Sequence, residues 1–323
     1  NPHDQYGPSV RFLEETLLPL SGREIPHVTI LPQKTNIGFS GGNNAGIQWA
    51  LEHGFEYVYL HNNDGFLAAD ALEPLVTAME GDPTIGEAQS LILLHPETEL
   101  INTTGNQLHF LGFGYCNDYK VPVKERVFPP VKDISYASGA GVMLRSDLLR
   151  TYGLWEEDFF MYHEDCEYSF RLRMSGYRIV MVSGSIFYHK YQFARSIQKF
   201  YWMERNRFAI LLMFFRWPTL IVLLPMLLVL EVGLWLFAWQ HKWLDKRVKV
   251  YQYWWSLEHI KHWLKKRSVI QRLRRISDRE LLSYTSPAIS FQEKSMAHPT
   301  VRFFGNPLMK LYYWVVVKGL IWW

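Results

Sequence analysis

Short apolar segments alternate with amphipathic helical patterns along the first 190 residues. This alternation predicts strands joined by helices, an order typical of an α/β domain with a mostly parallel sheet. The segments that fit strands are residues 28–31, 57–60, 87–94, 135–144, 178–182 and 186–189, and those that fit helices are residues 11–19, 47–53, 69–79, 145–152 and 164–175. The chain has only two cysteines, Cys116 and Cys166, which rules out a disulfide framework and is compatible with a reducing compartment.

One predicted strand ends in side chains that can bind a cation. Residues 57–60 are apolar, and Asn62, Asn63 and Asp64 follow after one histidine. Ligands of α/β sheets bind at the carboxyl ends of strands, so these oxygen atoms lie where a substrate is expected. A turn at the end of the strand explains Asp64 as well, if this carboxylate is considered alone.

A second acidic group lies next to an aromatic segment. Glu164, Asp165 and Glu167 follow the aromatic-rich residues 155–162, and His189 comes 24 residues after Asp165. Apolar surroundings and neighbouring carboxylates both raise the pKa of a carboxyl group, which is how a general base is adjusted toward neutral pH. The alternative is a solvated acidic face of a helix.

The sequence between residues 35 and 47 is rich in glycine and asparagine. Four glycines and three asparagines occur there, after the apolar residues 28–31 and before the helical pattern that begins at Ile47. Glycine and asparagine accept positive φ angles, and a helix start offers N–H groups to anions, so this loop is expected to bind a phosphate-bearing polar ligand. Neither the dinucleotide fingerprint nor a P-loop is present.

These segments resemble the inverting family 2 glycosyltransferases of the rhamnosyltransferase-like type. Residues 36–46, NIGFSGGNNAG, resemble the family's N-x-G-F-x-G-x-N-x-G block, and residues 60–64, LHNND, resemble its version of the metal-binding D-x-D. Further similar blocks are residues 138–144, 153–165, 171–178 and 188–189. The resemblance covers roughly residues 1–207 and implies a GT-A fold, with a mostly parallel nucleotide-sugar-binding sheet flanked by helices.

The resemblance implies a role for each matching residue. Asp64 would bind a divalent cation, Mg²⁺ or Mn²⁺, that bridges the diphosphate of the donor, and His189 would be a further ligand. Asp165 would deprotonate the acceptor hydroxyl, with Glu164 as its neighbour in the pair. The residues expected to line the nucleotide-sugar pocket are Asn36, Gly38, Gly41, Asn43, Asn62 and Asn63.

The chain departs from the family pattern in two places. Asn62 stands where an aspartate is usual, so metal binding would rest mainly on Asp64 and the diphosphate. The family's first β-α-β unit, about 35–45 residues long, has no counterpart in the sequence, and we expect it to be missing. The implied reaction moves a hexose or rhamnose from a dTDP-sugar or UDP-sugar to a hydroxyl of a lipid-linked or cell-surface glycan.

The last third of the chain has a different composition. Residues 217–239 contain one charge, Glu231, and are long enough to cross about 30 Å of hydrocarbon. Tryptophan, tyrosine and basic residues flank this stretch on both sides, as in proteins that bind a membrane surface. We expect a catalytic domain in residues 1–200 and a helical, membrane-associated region in residues 201–323. A buried helix packed on the catalytic domain is the alternative.

Two classes of function fit these features. The first is a glycosyltransferase at the cytoplasmic face of the cell membrane, with membrane lipid as a further partner. The second is a catalytically inactive nucleotide-sugar-binding or scaffold protein of the same fold. The presence of Asp64, Asp165 and His189 favours the enzyme. The basic and aromatic residues 261–275 suit anionic lipid, so no nucleic-acid partner is expected.

Overall fold

The computed structural model describes residues 7–191, 199–290 and 299–323. The helices are α1 (Gly7–Thr16), α2 (Gly38–Glu52), α3 (Leu72–Gly81), α4 (Ser146–Tyr152), α5 (Glu164–Met174), α6 (Phe200–Phe214), α7 (Trp217–Gln240), α8 (Leu244–Trp255), α9 (Leu257–Arg272), α10 (Asp278–Ser283), α11 (Asn306–Tyr312) and α12 (Lys318–Leu320). The strands are β1 (Tyr57–His61), β2 (Gly65–Leu67), β3 (Ile85–Leu94), β4 (Ile101–Thr103), β5 (Asn106–His109), β6 (Gly114–Cys116), β7 (Val131–Asp133), β8 (Gly141–Arg145), β9 (Arg178–His189) and β10 (Thr285–Ser286). Helices α11 and α12 belong to one helical segment, residues 299–320, that includes two π-helical turns.

A seven-stranded mixed sheet forms the centre of the fold. Its order is β1-β8-β3-β9-β2, with β4 beside β3 and β7 beside β9. Only β3 and β9 pair in parallel among the described strands of this sheet, and the other pairs are antiparallel. The expectation of a mostly parallel sheet is therefore wrong. The residue pattern reveals which segments are strands, whereas strand direction depends on how the connections run.

Several predicted elements have different boundaries in the structure. Residues 28–31 are irregular, because they form no ladder with any described strand. The strand expected over residues 135–144 is confined to β8, and the two segments expected near residues 178–189 form the single strand β9. The glycine-rich segment is not an extended loop, since α2 begins at Gly38 and runs through it.

The helices after residue 200 pack against the sheet region. One hydrophobic cluster combines Phe170 of α5 with Phe214 of α6, Leu223 of α7 and Trp263 of α9, and all four side chains are buried. The catalytic and C-terminal regions thus share a core. The proposed domain boundary at residue 200 remains a prediction.

Helix α7 contains one charged side chain, Glu231, which is neutralised inside the protein. Arg207 of α6 donates to Glu231 Oε1 at 2.6 Å and to Glu204 Oε2 at 3.0 Å. Arg247 of α8 contacts both carboxylates, and the Tyr251 hydroxyl donates to Glu231. The network joins α6, α7 and α8, which explains how an apolar helix tolerates a carboxylate.

Loss of Arg207 is expected to destabilise the fold strongly. The Arg207 side chain is fully buried, so Arg207→Met leaves Glu204 and Glu231 with less compensation for their negative charges. Removing one partner of a buried ion pair costs about 3–5 kcal/mol. Chemical denaturation of the purified variant, followed by circular dichroism, measures this change in the free energy of unfolding.

Arg178→Met is the matched control. Arg178 also pairs with two carboxylates, Asp82 and Asp133, but its side chain is 40% exposed. Exposed ion pairs contribute less than about 1 kcal/mol, so this variant should unfold close to the wild-type midpoint. Equal losses in the two variants would contradict a stabilising role for burial of the network.

Candidate active site

A cavity of about 800 Å³ lies at the edge of the sheet where β1 and β9 end. Five of the residues singled out in the sequence line it: Asn62, Asp64, Glu164, Asp165 and His189. The fold therefore brings three places in the chain together. They are the residues after β1 (Asn62 and Asp64), the end of β9 (His189) and the start of α5 (Glu164 and Asp165). The lining does not include Asn36, Gly38, Gly41, Asn43 or Asn63.

Asp64 and His189 are neighbours because β2 pairs with β9. Gly65 lies opposite His189 in the antiparallel ladder, and the Lys190 N–H donates to the Asp64 carbonyl oxygen at 2.9 Å. Asp64 Oδ1 is 3.1 Å from His189 Nε2, and Asn62 Nδ2 is 3.3 Å from the same nitrogen. His189 is buried, whereas the Asp64 side chain is 47% exposed to the cavity side.

The chemistry of these side chains fits a divalent cation. His189 Nδ1 lies 2.8 Å from Asn102 Oδ1, and His189 Nε2 is directed at Asp64 Oδ1 at 3.1 Å. The buried Asn62 Oδ1 has no hydrogen-bond partner among the described residues. Asp64 Oδ1, His189 Nε2 and Asn62 Oδ1 are atoms of the kinds that bind a divalent cation.

The described side chains supply too few ligands to hold this cation by themselves. No group of three or more His, Cys, Asp or Glu side chains with metal-site geometry occurs in the described part of the chain. A carboxylate, an imidazole and an amide leave several positions for other oxygen atoms. This is the arrangement that Mg²⁺ and Mn²⁺ adopt when phosphates of a substrate complete the coordination.

Asp165 stands at the start of α5 with its carboxylate held by backbone donors. The Gly139 N–H donates to Oδ2 at 3.2 Å, and the Cys166 N–H donates to Oδ1 at 2.8 Å. Burial raises the pKa of Asp165 to about 6, although these N–H groups partly offset the effect. At neutral pH the carboxylate is therefore mostly ionised and still basic enough to accept a proton.

Glu164 has a different protonation state from its neighbour. Burial, followed by the negative charge of Asp165, raises the pKa of Glu164 well above its usual range. Its Oε2 atom is buried, belongs to a residue that lines the cavity and has no hydrogen-bond partner among the described residues. A protonated Glu164 can thus donate a hydrogen bond to a ligand while Asp165 accepts one.

The backbone is strained in the segment just before Asp165. Within residues 159–163, φ is 62° at Phe160, 66° at Tyr162 and 69° at His163. Residues other than glycine rarely take such angles, and each costs on the order of 1–3 kcal/mol unless its surroundings hold it in place. Residues 159–163, called the base loop below, therefore need contacts with other parts of the protein to hold these angles.

Asn206 of α6 provides much of that support. Its Nδ2 lies 2.7–2.9 Å from the carbonyl oxygens of Phe159, Met161 and Tyr162, to which it donates, and Asn206 is fully buried. Asn206 was not among the residues predicted from the sequence. A signal was available, since residues 204–207 are four successive polar residues at the start of an otherwise apolar stretch.

The glycine-rich segment supports the base loop from the other side. The carbonyl oxygen of Phe160 accepts from the Phe39 N–H at 2.6 Å, so the start of α2 is occupied by the protein's own backbone. A Cβ atom on Gly38 would lie 2.4 Å from that oxygen, and Gly38 has a φ of +77°. Asn44 exchanges hydrogen bonds with the backbone of Trp155 at 2.8 and 3.0 Å. The contact of Asn36, Gly38, Gly41 and Asn43 with a nucleotide sugar stays a prediction.

Gly139 joins the two halves of the site. Its neighbour Ala140 accepts from the Asn62 N–H at 3.0 Å, while the Gly139 N–H donates to Asp165. A Cβ atom at position 139 would lie 2.8 Å from the Trp155 ring. Glycine at position 139 therefore avoids a clash with Trp155 in the segment that links Asn62 to Asp165.

The chain belongs to glycosyl transferase family group 2, whose family model matches residues 57–260. The matched residues contain Asp64, Asp165 and His189. The chain is therefore a member of a glycosyltransferase family. The expectation of an α/β fold with flanking helices is confirmed, with a mixed sheet in place of a mostly parallel one, and the GT-A type stays a prediction.

Individual relatives are distant. The chain is 27% identical over 151 residues to the low-salt glycan biosynthesis hexosyltransferase Agl10 of Haloferax volcanii, a region that covers 45% of this chain and 46% of that protein. The chain thus matches about half the length of this curated relative.

Two solved structures are similar in chain path. GalNAc-T7 with UDP, GalNAc and Mn²⁺ gives a TM-score of 0.48 at 15% identity, over 62% of this chain and 39% of the other. The mannosyltransferase PcManGT of Pyrobaculum calidifontis, with GDP-Man and Mn²⁺, gives 0.39 at 16% identity, over 64% and 50%. Neither likeness is close enough to assign a ligand to this chain.

Proposed function

We propose that this glycosyltransferase transfers a hexose or rhamnose, with inversion and with a divalent cation, from a nucleotide sugar to a hydroxyl of a lipid-linked or cell-surface glycan. The donor would be of the dTDP-rhamnose or UDP-hexose type. The observation that carries the proposal is that Asp165 and the Asp64–His189 pair line one cavity.

Each residue has a separate task in this reaction. Asp64, His189 and Asn62 would hold Mg²⁺ or Mn²⁺ against the diphosphate. When bound, such a cation neutralises the charge that develops on the leaving diphosphate. Asp165 accepts the proton of the acceptor hydroxyl, because its raised pKa makes it a suitable base near neutral pH. Glu164, protonated, donates a hydrogen bond and orients the acceptor.

Inversion follows from the number of reactive groups. Direct attack of the acceptor oxygen on the anomeric carbon needs one base and a stabilised leaving group. The proton of the acceptor passes to Asp165, the new C–O bond forms at the anomeric carbon, and the bond to the diphosphate breaks with its electrons. No enzyme nucleophile takes part, in agreement with the buried Cys166, whose thiol pKa is raised well above its usual value by burial.

We further propose that α7 attaches the enzyme to the cytoplasmic face of a membrane. Among the described residues, α7 is the one helix long and apolar enough to cross a membrane by length and composition, and 11% of its apolar window is buried. Ile221, Leu228, Val232 and Leu236 are 58–69% exposed and form a stripe along one side. Burial of this stripe in lipid removes a large apolar surface from water.

An inactive scaffold protein is the competing function. Buried carboxyl groups with raised pKa values destabilise a fold, and a protein that only binds nucleotide sugar has no use for Asp165 or the unpaired Glu164 oxygen. These two residues favour the enzyme.

A donor screen tests the proposal. Purified full chain is incubated with dTDP-, UDP- and GDP-sugars, and release of nucleoside diphosphate is measured with Mn²⁺, with Mg²⁺ and with EDTA. The proposal expects release from at least one dTDP- or UDP-sugar that depends on the cation and stops in EDTA. Binding without any turnover, with and without lipid extract as acceptor, would support the scaffold instead.

A further inference from the structure

The cavity extends well beyond the catalytic groups. The part of its lining that comes from α7 and the C-terminal helical segment is mostly apolar, with Thr300 as a polar member. The residues that define this apolar arm are Met226, Leu230, Gly233 and Phe237 of α7, with Phe304 and Leu308 opposite. A part of the cavity with this composition needs an occupant other than the transferred sugar.

The walls of the apolar arm exclude most ligands on chemical grounds. A sugar, a nucleotide or a peptide carries donors and acceptors that lose their water on entry, and aliphatic and aromatic walls offer no partners in return. A hydrocarbon chain has no such groups and gains from leaving water. The cavity volume of about 800 Å³ lies in the range that holds a drug-sized ligand, so it accommodates a chain as well as a sugar.

The position of the arm indicates the source of the hydrocarbon. One side of α7 lines the arm through Gly233, and the other side carries the exposed stripe with Val232. The arm is therefore separated from the proposed lipid contact by a single helix. Lys190 and Lys199 line the same cavity and offer positive charge to a phosphate between hydrocarbon and sugar.

We propose that the apolar arm binds the hydrocarbon chain of a lipid-borne acceptor, whose hydroxyl then lies at Asp165. The inference rests on the proposed glycosyl transfer and narrows its acceptor class to lipid-linked compounds. The lipid enters from the bilayer beside α7. A soluble glycan would leave the arm empty and would gain nothing from its apolar walls.

Gly233 allows a sharp test, because a Cβ atom added there meets no atom within 4 Å. Gly233→Phe therefore adds a ring whose first carbon lies in open space at the wall of the arm. Val232→Phe is the matched control, since it adds the same ring to a position that is 63% exposed on the outer side of α7. Gly233→Leu fills less of the arm and serves if the larger variant fails to fold.

The probe is a dodecyl phosphate with a photoreactive diazirine at the chain end, added to the full chain in phosphatidylcholine vesicles. Mass spectrometry then maps the labelled residues. The proposal expects labels at Met226, Leu230 or Phe304 in the wild type and in Val232→Phe, and at least a tenfold decrease at these residues in Gly233→Phe. Equal labelling in both variants, labels confined to the outer stripe, or equal labelling by a butyl phosphate probe would overturn it.

The same samples are assayed for cation-dependent hydrolysis of the donor. Val232→Phe should hydrolyse the donor at the wild-type rate, and a circular dichroism spectrum shows whether Gly233→Phe is folded. Labelling of the arm without donor hydrolysis in the wild type would contradict the proposed function and support the lipid site. Donor hydrolysis without labelling of the arm would support the proposed enzyme activity and contradict the lipid site.

Discussion

Replacing Asp165 by asparagine is expected to lower kcat by a factor of about 10²–10⁴, the usual contribution of a general base. The amide keeps the shape of the carboxylate but accepts no proton from the acceptor hydroxyl. Donor affinity should change little, because in the proposed reaction the cation and the diphosphate would be bound by Asp64 and His189 rather than by Asp165. Single-turnover rates together with donor titration separate the two quantities.

The pH dependence should distinguish loss of a base from loss of structure. The pKa of Asp165 is raised to about 6, so kcat/KM of the wild type should rise through pH 6 and level off above it. The residual activity of Asp165→Asn should lack this rise. The pKa of Asp165 is about 3.9 in the unfolded state, so the folded state holds this proton more tightly. The fold therefore loses stability as Asp165 ionises, and the whole loss is present above pH 6.

The variant should therefore be at least as stable as the wild type at pH 7.5, with a gain of no more than about 3 kcal/mol. Asp147→Asn is the matched control, because Asp147 is exposed on α4 and does not line the cavity. It should keep full activity. If Asp165→Asn retains more than about a tenth of wild-type kcat, a loss below ~1.4 kcal/mol, Asp165 is not the base and Glu164 or Glu167 should be tested.

Replacing Asp64 by alanine is expected to weaken cation-dependent donor binding by at least two orders of magnitude. A cation at a leaving phosphate contributes several kcal/mol, and Asp64 is the one carboxylate beside His189 and Asn62. His189→Ala should have a smaller effect, because Mg²⁺ and Mn²⁺ prefer carboxylate oxygen to imidazole. Calorimetric titration with a nucleoside diphosphate, with and without Mn²⁺, measures both.

The same titration contains its own control. Without cation, wild type and Asp64→Ala should bind the nucleoside diphosphate with similar affinity, whereas with Mn²⁺ only the wild type should gain. Asp64→Asn keeps one oxygen and should fall between them. If Asp64→Ala gains as much from Mn²⁺ as the wild type, the cation is bound elsewhere.

Much of the site could be predicted from the sequence because its residues lie at the ends of regular elements. Asp64 follows β1, His189 ends β9 and Asp165 begins α5, and all three positions were expected. Sequence pattern identifies such ends well, since apolar periodicity stops there. It did not identify Asn206, whose role depends on a contact 44 to 47 residues away in the chain.

The predictions that were wrong also concern features that depend on distant parts of the chain. The glycine-rich segment has the composition of a loop, yet it is a helix, because packing against the base loop outweighs the low helix propensity of glycine. The sheet was expected to be mostly parallel, although strand direction is set by connections that residue patterns do not encode. The sequence shows Glu231 as a single charge among apolar residues, and only the fold reveals that Arg207 and Arg247 pair with it.

The anomeric configuration of the first product tests the mechanism most directly. The donor found active in the screen is hydrolysed by a high concentration of enzyme with Mn²⁺, and proton NMR follows the released sugar before mutarotation. One base and no enzyme nucleophile predict that the sugar appears first with the configuration opposite to that of the donor. Release with retained configuration, or equal release by Asp165→Asn, would contradict direct attack assisted by Asp165.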